Sequence, residues 1–176
     1  MEYVILGKTN LKISRMGFGG IPIQRTTKIE AKKLFKALSE EGINFVDTAK
    51  AYTVSEAFIG EAIEGMREKF IIATKSMART KEAMERDIKS SLENLKTDYI
   101  DLYQVHNPSS EQLDIVCAGG GALEALKDAV ENGLVGHLGI TAHSYEVFKR
   151  ALSLPWVETI MFPYNIVETQ GEELMR

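Results

Sequence analysis

Six short apolar runs, separated by stretches with helical periodicity, constrain this chain more than any other feature of its sequence. The first runs from Arg15 to Phe18 and ends in Gly19-Gly20. The others cover residues 43–47, 70–74, 99–105, 137–141 and 158–164. Between them lie predicted helices over 28–41, 55–65, 80–96, 122–132 and 144–153, the fourth reached through a longer loop. In the first of these, Ala31, Leu34, Phe35 and Leu38 recur at helical spacing and Gly42 stops the helix. Thr80 is placed to cap the third. Ahead of everything, residues 3–13 carry two apolar stretches around the polar turn GKTN, a β-hairpin signal. Strand starts fall roughly 20 to 40 residues apart, the spacing of repeated βα units, which predicts a parallel sheet covered by helices.

Two architectures answer to that pattern. A doubly wound open sheet suits 176 residues. A (β/α)8 TIM barrel suits the alternation but typically needs about 250 residues. The polar residues decide for the barrel. Asp47 ends the second strand, with Tyr52 just beyond it. Lys75 ends the third strand, His106 the fourth, and Thr141 the fifth, with His143 following. In a parallel barrel these ends share one rim, where barrel enzymes build their sites. Taken singly, each has a plainer role: Asp47 as a cap, Lys75 as a snorkelling surface lysine, His106 as a loop histidine, Tyr52 as a packed ring. Their equivalent places in successive units argue for one site.

The set suits protonation of a carbonyl. A phenol with an ordinary pKa of about 10 is a poor acid at neutral pH. A nearby ammonium would favour the phenolate and make Tyr52 more acidic, a carboxylate would fix the lysine, and a histidine would orient the carbonyl oxygen. No side chain donates hydride, so a nicotinamide or flavin cofactor is implied.

The totals bound the partners. The net charge of -4 gives no electrostatic reason to expect nucleic acid or an anionic membrane. No apolar run is long enough to cross a bilayer, and the N-terminus lacks a signal-peptide pattern. The single cysteine, Cys117, precludes an internal disulfide and cannot by itself ligate an iron–sulfur cluster. A cytoplasmic location, with neither nucleic acid nor membrane as partner and no metal, is the expectation.

Asp47-Thr48-Ala49, Tyr52, Ser55-Glu56, then Lys75 in FIIATK and His106 in LYQVHNP, resemble the aldo-keto reductases in order and context. The hairpin and the following MGFGG resemble that family's start, and GLVGHLGIT the approach to its fifth strand. The resemblance covers essentially the whole chain. It implies an NADPH-dependent reductase of aldehydes or ketones, with NADH as the alternative and a small carbonyl compound as substrate. Tyr52 would be the general acid, Lys75 and Asp47 would tune it, and His106 would orient the carbonyl. Gly20, Ile21, Asp47, Thr141, His143 and Asn165 would line the cofactor. No Rossmann fingerprint is present: Pro22 stands where the last glycine of GxGxxG would be.

The chain also departs from the family. Thr53 follows the tyrosine where glycine is usual, and Ala142 and Met161 stand where polar groups usually hold the carboxamide. The match runs out after the sixth strand. One partial TIM-barrel domain over 1–176 is therefore expected, an incomplete (β/α)8 barrel lacking strands seven and eight. A reductase remains the expected function, with a truncated, catalytically inactive fragment or a binding or regulatory subunit as the alternative, and self-association through exposed sheet edges is expected. Residues 171–176 read as the start of another helix.

Overall fold

The computed structural model describes residues 1–174. It opens with the expected hairpin, β1 (Tyr3–Ile5) antiparallel to β2 (Lys12–Ser14). Asn44 locks the hairpin to the sheet. Its Oδ1 accepts from the Ser14 amide at 2.6 Å, its Nδ2 donates to the Lys12 carbonyl at 3.0 Å, and its own amide donates to Ser14 Oγ at 3.0 Å.

Among the described residues the main sheet has strands β3 (Phe18–Gly19), β4 (Phe45–Asp47), β5 (Ile71–Ser76), β6 (Ile100–His106), β7 (Val135–Thr141) and β8 (Thr159–Met161). All pairs are parallel and the spatial order follows the chain order. A doubly wound sheet would reverse its order at a switch point. This one does not, so it is a barrel-type sheet, open along β3 and β8. The outer strands are shorter than expected. Residue 15 still belongs to the hairpin, its amide donating to the Glu2 carbonyl at 2.9 Å, so pairing with β4 begins only at Phe18. At the other edge β8 stops before Phe162 and Pro163, the latter having no amide to offer a ladder.

Helices α1 (Lys28–Glu40), α2 (Ser55–Ala62), α3 (Lys81–Leu95), α4 (Ser110–Cys117), α5 (Ala122–Glu131) and α6 (Tyr145–Leu152) cover one face of the sheet. Thr27 and Glu30 form a capping box for α1, and Thr80 accepts from the Ala83 amide to cap α3. Helix α4 falls within what reads as a loop in the sequence. Ser109 and Gln112 cap it reciprocally, and Leu113 and Val116 bury one narrow stripe. Gly121, which opens α5, packs so tightly on the end of α4 that a Cβ there would lie 2.3 Å from the Ile115 carbonyl oxygen. Gly121 is thus a packed corner between α4 and α5, while a Cβ on Gly119 or Gly120 would meet nothing. A 3-10 turn over Gln170–Leu174 stands where another helix is expected to begin; Met175 and Arg176 lie outside the described residues.

Strand alternation divides the side chains into two sets. Val46, Ile72, Tyr103, Val105, Leu138 and Ile140 join the core under the helices with Phe35, Ile59 and Leu126. Phe45, Leu102 and Gln104 face the other side. With Leu6, Ile160, Met161 and Phe162 they line an open cavity of about 250 Å³.

One close approach is required by the packing. A Cβ on Gly60 would lie 2.4 Å from the Asn94 carbonyl oxygen and 2.7 Å from Leu95 Cα, so α2 and α3 meet through bare backbone. Gly60→Ala should therefore lose about 1–3 kcal/mol despite alanine's better helix propensity. Urea denaturation of the two proteins measures this directly.

Candidate active site

The parallel register sets Asp47, Lys75 and Gln104 side by side on adjacent strands. Lys75 is the direct neighbour of Gln104, and Asp47 pairs with Ala73, one pleat below Lys75. Lys75 Nζ donates to Asp47 Oδ2 and, at 2.8 Å, to the Thr48 carbonyl. Gln104 Nε2 donates to the other oxygen of Asp47 at 3.1 Å. Lys75 is buried and Asp47 nearly so. Burial pushes the Asp47 carboxyl above its ordinary range, with the Lys75 ammonium and the Gln104 amide opposing that push.

Tyr52 arrives from the turn after β4, its amide donating to the Ala49 carbonyl at 2.9 Å. Its ring centroid lies 5.0 Å from Lys75 Nζ and 6.1 Å, edge to face, from the His106 ring. Among the described residues the Tyr52 hydroxyl has no hydrogen-bond partner. Burial, followed by the Asp47 carboxylate, raises its pKa. This is opposite to the expectation from the sequence, in which the lysine makes Tyr52 more acidic. Burial of the phenol and the facing Asp47 carboxylate, itself bonded to Lys75, outweigh the ammonium in the resting site.

His106 ends β6, half-buried. Burial, then the charges of Lys75 and Arg79, push its pKa down from 6.5 to about 4, so the imidazole is neutral at neutral pH. Its Nδ1 is buried without a partner among the described residues, so no protein group sets the tautomer. The lowered pKa makes a stability prediction. The unfolded chain takes up the proton near pH 6.5 and the folded chain only near pH 4. The contribution of His106 to stability is therefore complete above about pH 6.5 and lost as the pH falls through that window. His106→Gln should lose less stability than the parent over the same range, and the His106 ring signals in NMR should titrate near pH 4.

The residues expected to line a cofactor divide. Gly20 belongs to the frame: its amide donates to the Asp47 carbonyl at 2.7 Å, its carbonyl accepts from Ser55 Oγ at 2.9 Å, and a Cβ would press on Ser55 and Thr48. Ile21 is exposed beside it. Thr141 stands at the end of β7, and its Oγ1 and carbonyl both accept from the Asn107 amide, at 3.3 and 2.8 Å. His143 is exposed, its amide bonded to Asn107 Oδ1 at 3.2 Å. Asn165 is turned into its own loop, donating to Glu168 and accepting from the Val167 and Glu168 amides. Gln104 and Asn107 are the site residues that the sequence argument misses. Asn107 sits at φ 45°, a left-handed conformation that asparagine tolerates.

Thr53 also adopts a left-handed conformation, at φ 39°. A β-branched residue there costs about 1–2 kcal/mol of backbone strain, offset in part by the 2.8 Å bond from Thr53 Oγ1 to Gln24. Thr53→Gly should raise the urea midpoint slightly, and Thr53→Ala should not reach it.

Comparison with known proteins settles the family. The model of the aldo/keto reductase family matches residues 15–176. The chain belongs to this family. The aldo-keto reductase YhdN of Bacillus subtilis is 32% identical, matching 98% of this chain and 56% of its own length. The L-galactose dehydrogenase of Arabidopsis thaliana is 30% identical over 86% of this chain and 52% of its own. Among solved structures, the holo form of aldo-keto reductase AKR11C1 from Bacillus halodurans superposes with a TM-score of 0.87 at 31% identity, covering 98% of this chain and 61% of that one. The chain thus spans a little over half the length of these curated relatives. Aldo-keto reductases are oxidoreductases that generally use NAD(P)H, and the fold here is the corresponding part of a (β/α)8 barrel. No helix of the described residues is long and apolar enough to cross a membrane.

Proposed function

We propose that this chain carries the carbonyl-reducing site of an NAD(P)H-dependent aldo-keto reductase, with Tyr52 as proton donor to an aldehyde or ketone. The observation that supports this most is the convergence of Tyr52, Lys75, Asp47 and His106 on one rim from three strands and a turn. A carbonyl oxygen placed between the Tyr52 hydroxyl and the neutral His106 ring would accept hydrogen bonds from both. The raised pKa keeps Tyr52 protonated until negative charge develops on that oxygen. The phenolate then forms beside the Lys75 ammonium, whose third N–H is free to favour it. Asp47, held by Gln104, keeps Lys75 charged and in place.

A reduced nicotinamide, when bound, supplies the hydride. Of the residues expected to hold that ring, Thr141 offers a hydroxyl and His143 an exposed imidazole, while Ala142 and Met161 offer no polar side chain. NADPH is the proposed form, with NADH as the alternative.

Titration of the 176-residue chain with NADPH, followed by nicotinamide fluorescence, tests the proposal. Saturable binding with reduction of a test aldehyde is expected. An absence of binding would leave the second reading, a catalytically inactive binding or regulatory chain, which Ala142, Met161 and the inward-turned Asn165 favour. Self-association along the open β3 and β8 edges is part of the same proposal; a strictly monomeric chain at micromolar concentration in analytical ultracentrifugation would remove it.

A further inference from the structure

Arg79 lies in the loop between β5 and α3, half-buried beside the site. Its Nη2 donates to the His106 carbonyl at 2.8 Å, Nε and Nη2 reach Gln112 Oε1 at 3.3 and 3.2 Å, and Nη1 donates to the Ala78 carbonyl at 3.2 Å. Every one of these acceptors is neutral. Arg15, Arg67 and Arg150 each meet a carboxylate, Glu2, Asp101 and Asp114 respectively. Arg79 meets none among the described residues, and one Nη1 N–H has no acceptor there.

This charge is held rather than mobile. Gln112 also accepts the Ser109 amide at 3.1 Å as part of the α4 capping box, so the guanidinium is anchored to a capped helix end and to the last residue of β6. It is close enough to the His106 ring to disfavour a second positive charge there. Desolvation without a counter-ion lowers the Arg79 pKa itself. A planar guanidinium with an idle donor, oriented by neutral groups, is built to meet a carboxylate. The neighbouring site charges do not compete for that anion, because Lys75 is already paired with Asp47.

We propose that Arg79 makes this site selective for carbonyl compounds that carry a carboxylate a few bonds from the carbonyl carbon. The inference rests on the carbonyl site proposed above, with His106 receiving the carbonyl and Arg79 the anion.

The test compares succinic semialdehyde with its methyl ester, which keeps the aldehyde and removes the charge. Binding to the intact chain is measured by calorimetry at low ionic strength, and the His106 ring signals are followed by NMR. Tighter binding of the acid by about tenfold or more, with displaced His106 signals, is expected. Arg79→Gln, which keeps a donor for the His106 carbonyl, should bring the two affinities within about twofold. Arg79→Lys, which keeps the charge but not the fork, should retain part of the preference and serves if the glutamine variant does not fold. Equal affinities, no measurable binding of either compound, or a preference undiminished in both variants would overturn the inference. Preference for the acid without NADPH binding or turnover would sink the reductase proposal alone. Turnover without preference would sink this one alone.

Discussion

Tyr52→Phe is expected to lower carbonyl turnover by about a hundred- to ten-thousand-fold, the range carried by a positioned proton donor. Cofactor affinity and thermal midpoint should stay close to the parent. The reason is local. The hydroxyl makes no hydrogen bond to a described residue, so its removal breaks nothing in the fold, while the ring that faces Lys75 and His106 remains. Steady-state rates on a test aldehyde, with NADPH fluorescence titration of both proteins, decide it. Unchanged turnover in the variant would take Tyr52 out of its assigned role.

Lys75→Met should produce the largest loss of stability of any single change in the site, about 3–5 kcal/mol near neutral pH. Methionine fills similar space, but Asp47 would keep only the Gln104 amide as partner while remaining mostly buried. Burial already pushes the Asp47 carboxyl upward, and losing the ammonium adds to that push. The sign follows. A carboxyl whose folded pKa is raised favours the folded state while protonated and loses that benefit as pH rises through its folded value. The variant should therefore recover part of its deficit on acidification, before general acid unfolding. Asp47→Asn combined with Lys75→Met should restore much of the loss at pH 7, since no buried charge is then left alone. Urea midpoints of the three variants and the parent give the answer. A Lys75→Met loss below about 1 kcal/mol would show that solvent reaches Asp47 freely.

Much of this arrangement is legible in the sequence because a parallel sheet has few degrees of freedom. Once the βα alternation is seen, strand ends share a rim, and Asp47 and His106 each close a strand. The pleat does the rest: residues two apart on a strand face the same way, so Gln104 could have been found by stepping back from His106. It is missed because a glutamine inside an apolar run carries no charge to draw attention. Helix α4 is missed for a different reason. It has eight residues and a two-residue buried stripe, too little periodicity to separate from a loop, although Ser109 and Gln112 carry the capping-box spacing. Asn44 reads as part of a strand and turns out to be the clasp of the hairpin. The acidity of Tyr52 is the clearest failure. Proximity of an ammonium predicts the direction only if burial of the phenol and a neighbouring carboxylate do not outweigh it, and spacing in the sequence does not show how deeply Tyr52 sits.

The chain-order pairing of the strands also governs how this sheet can come apart. Each strand leans only on its predecessor and its successor, so the two ends can open without disturbing the middle. The flanking strands are also the meagre ones, two and three residues long in β3 and β8 against seven in β6 and β7. Amide exchange should thus be graded, fast at Gly19 and Met161 and slow at Tyr103 and Ile140, with Asp47 and Lys75 on an intermediate step. The turn that carries Tyr52, the proposed proton donor, hangs from β4, a three-residue strand one place in from the weaker margin. Anything that steadies the β3 margin would then quiet the chemistry-bearing loop without touching it.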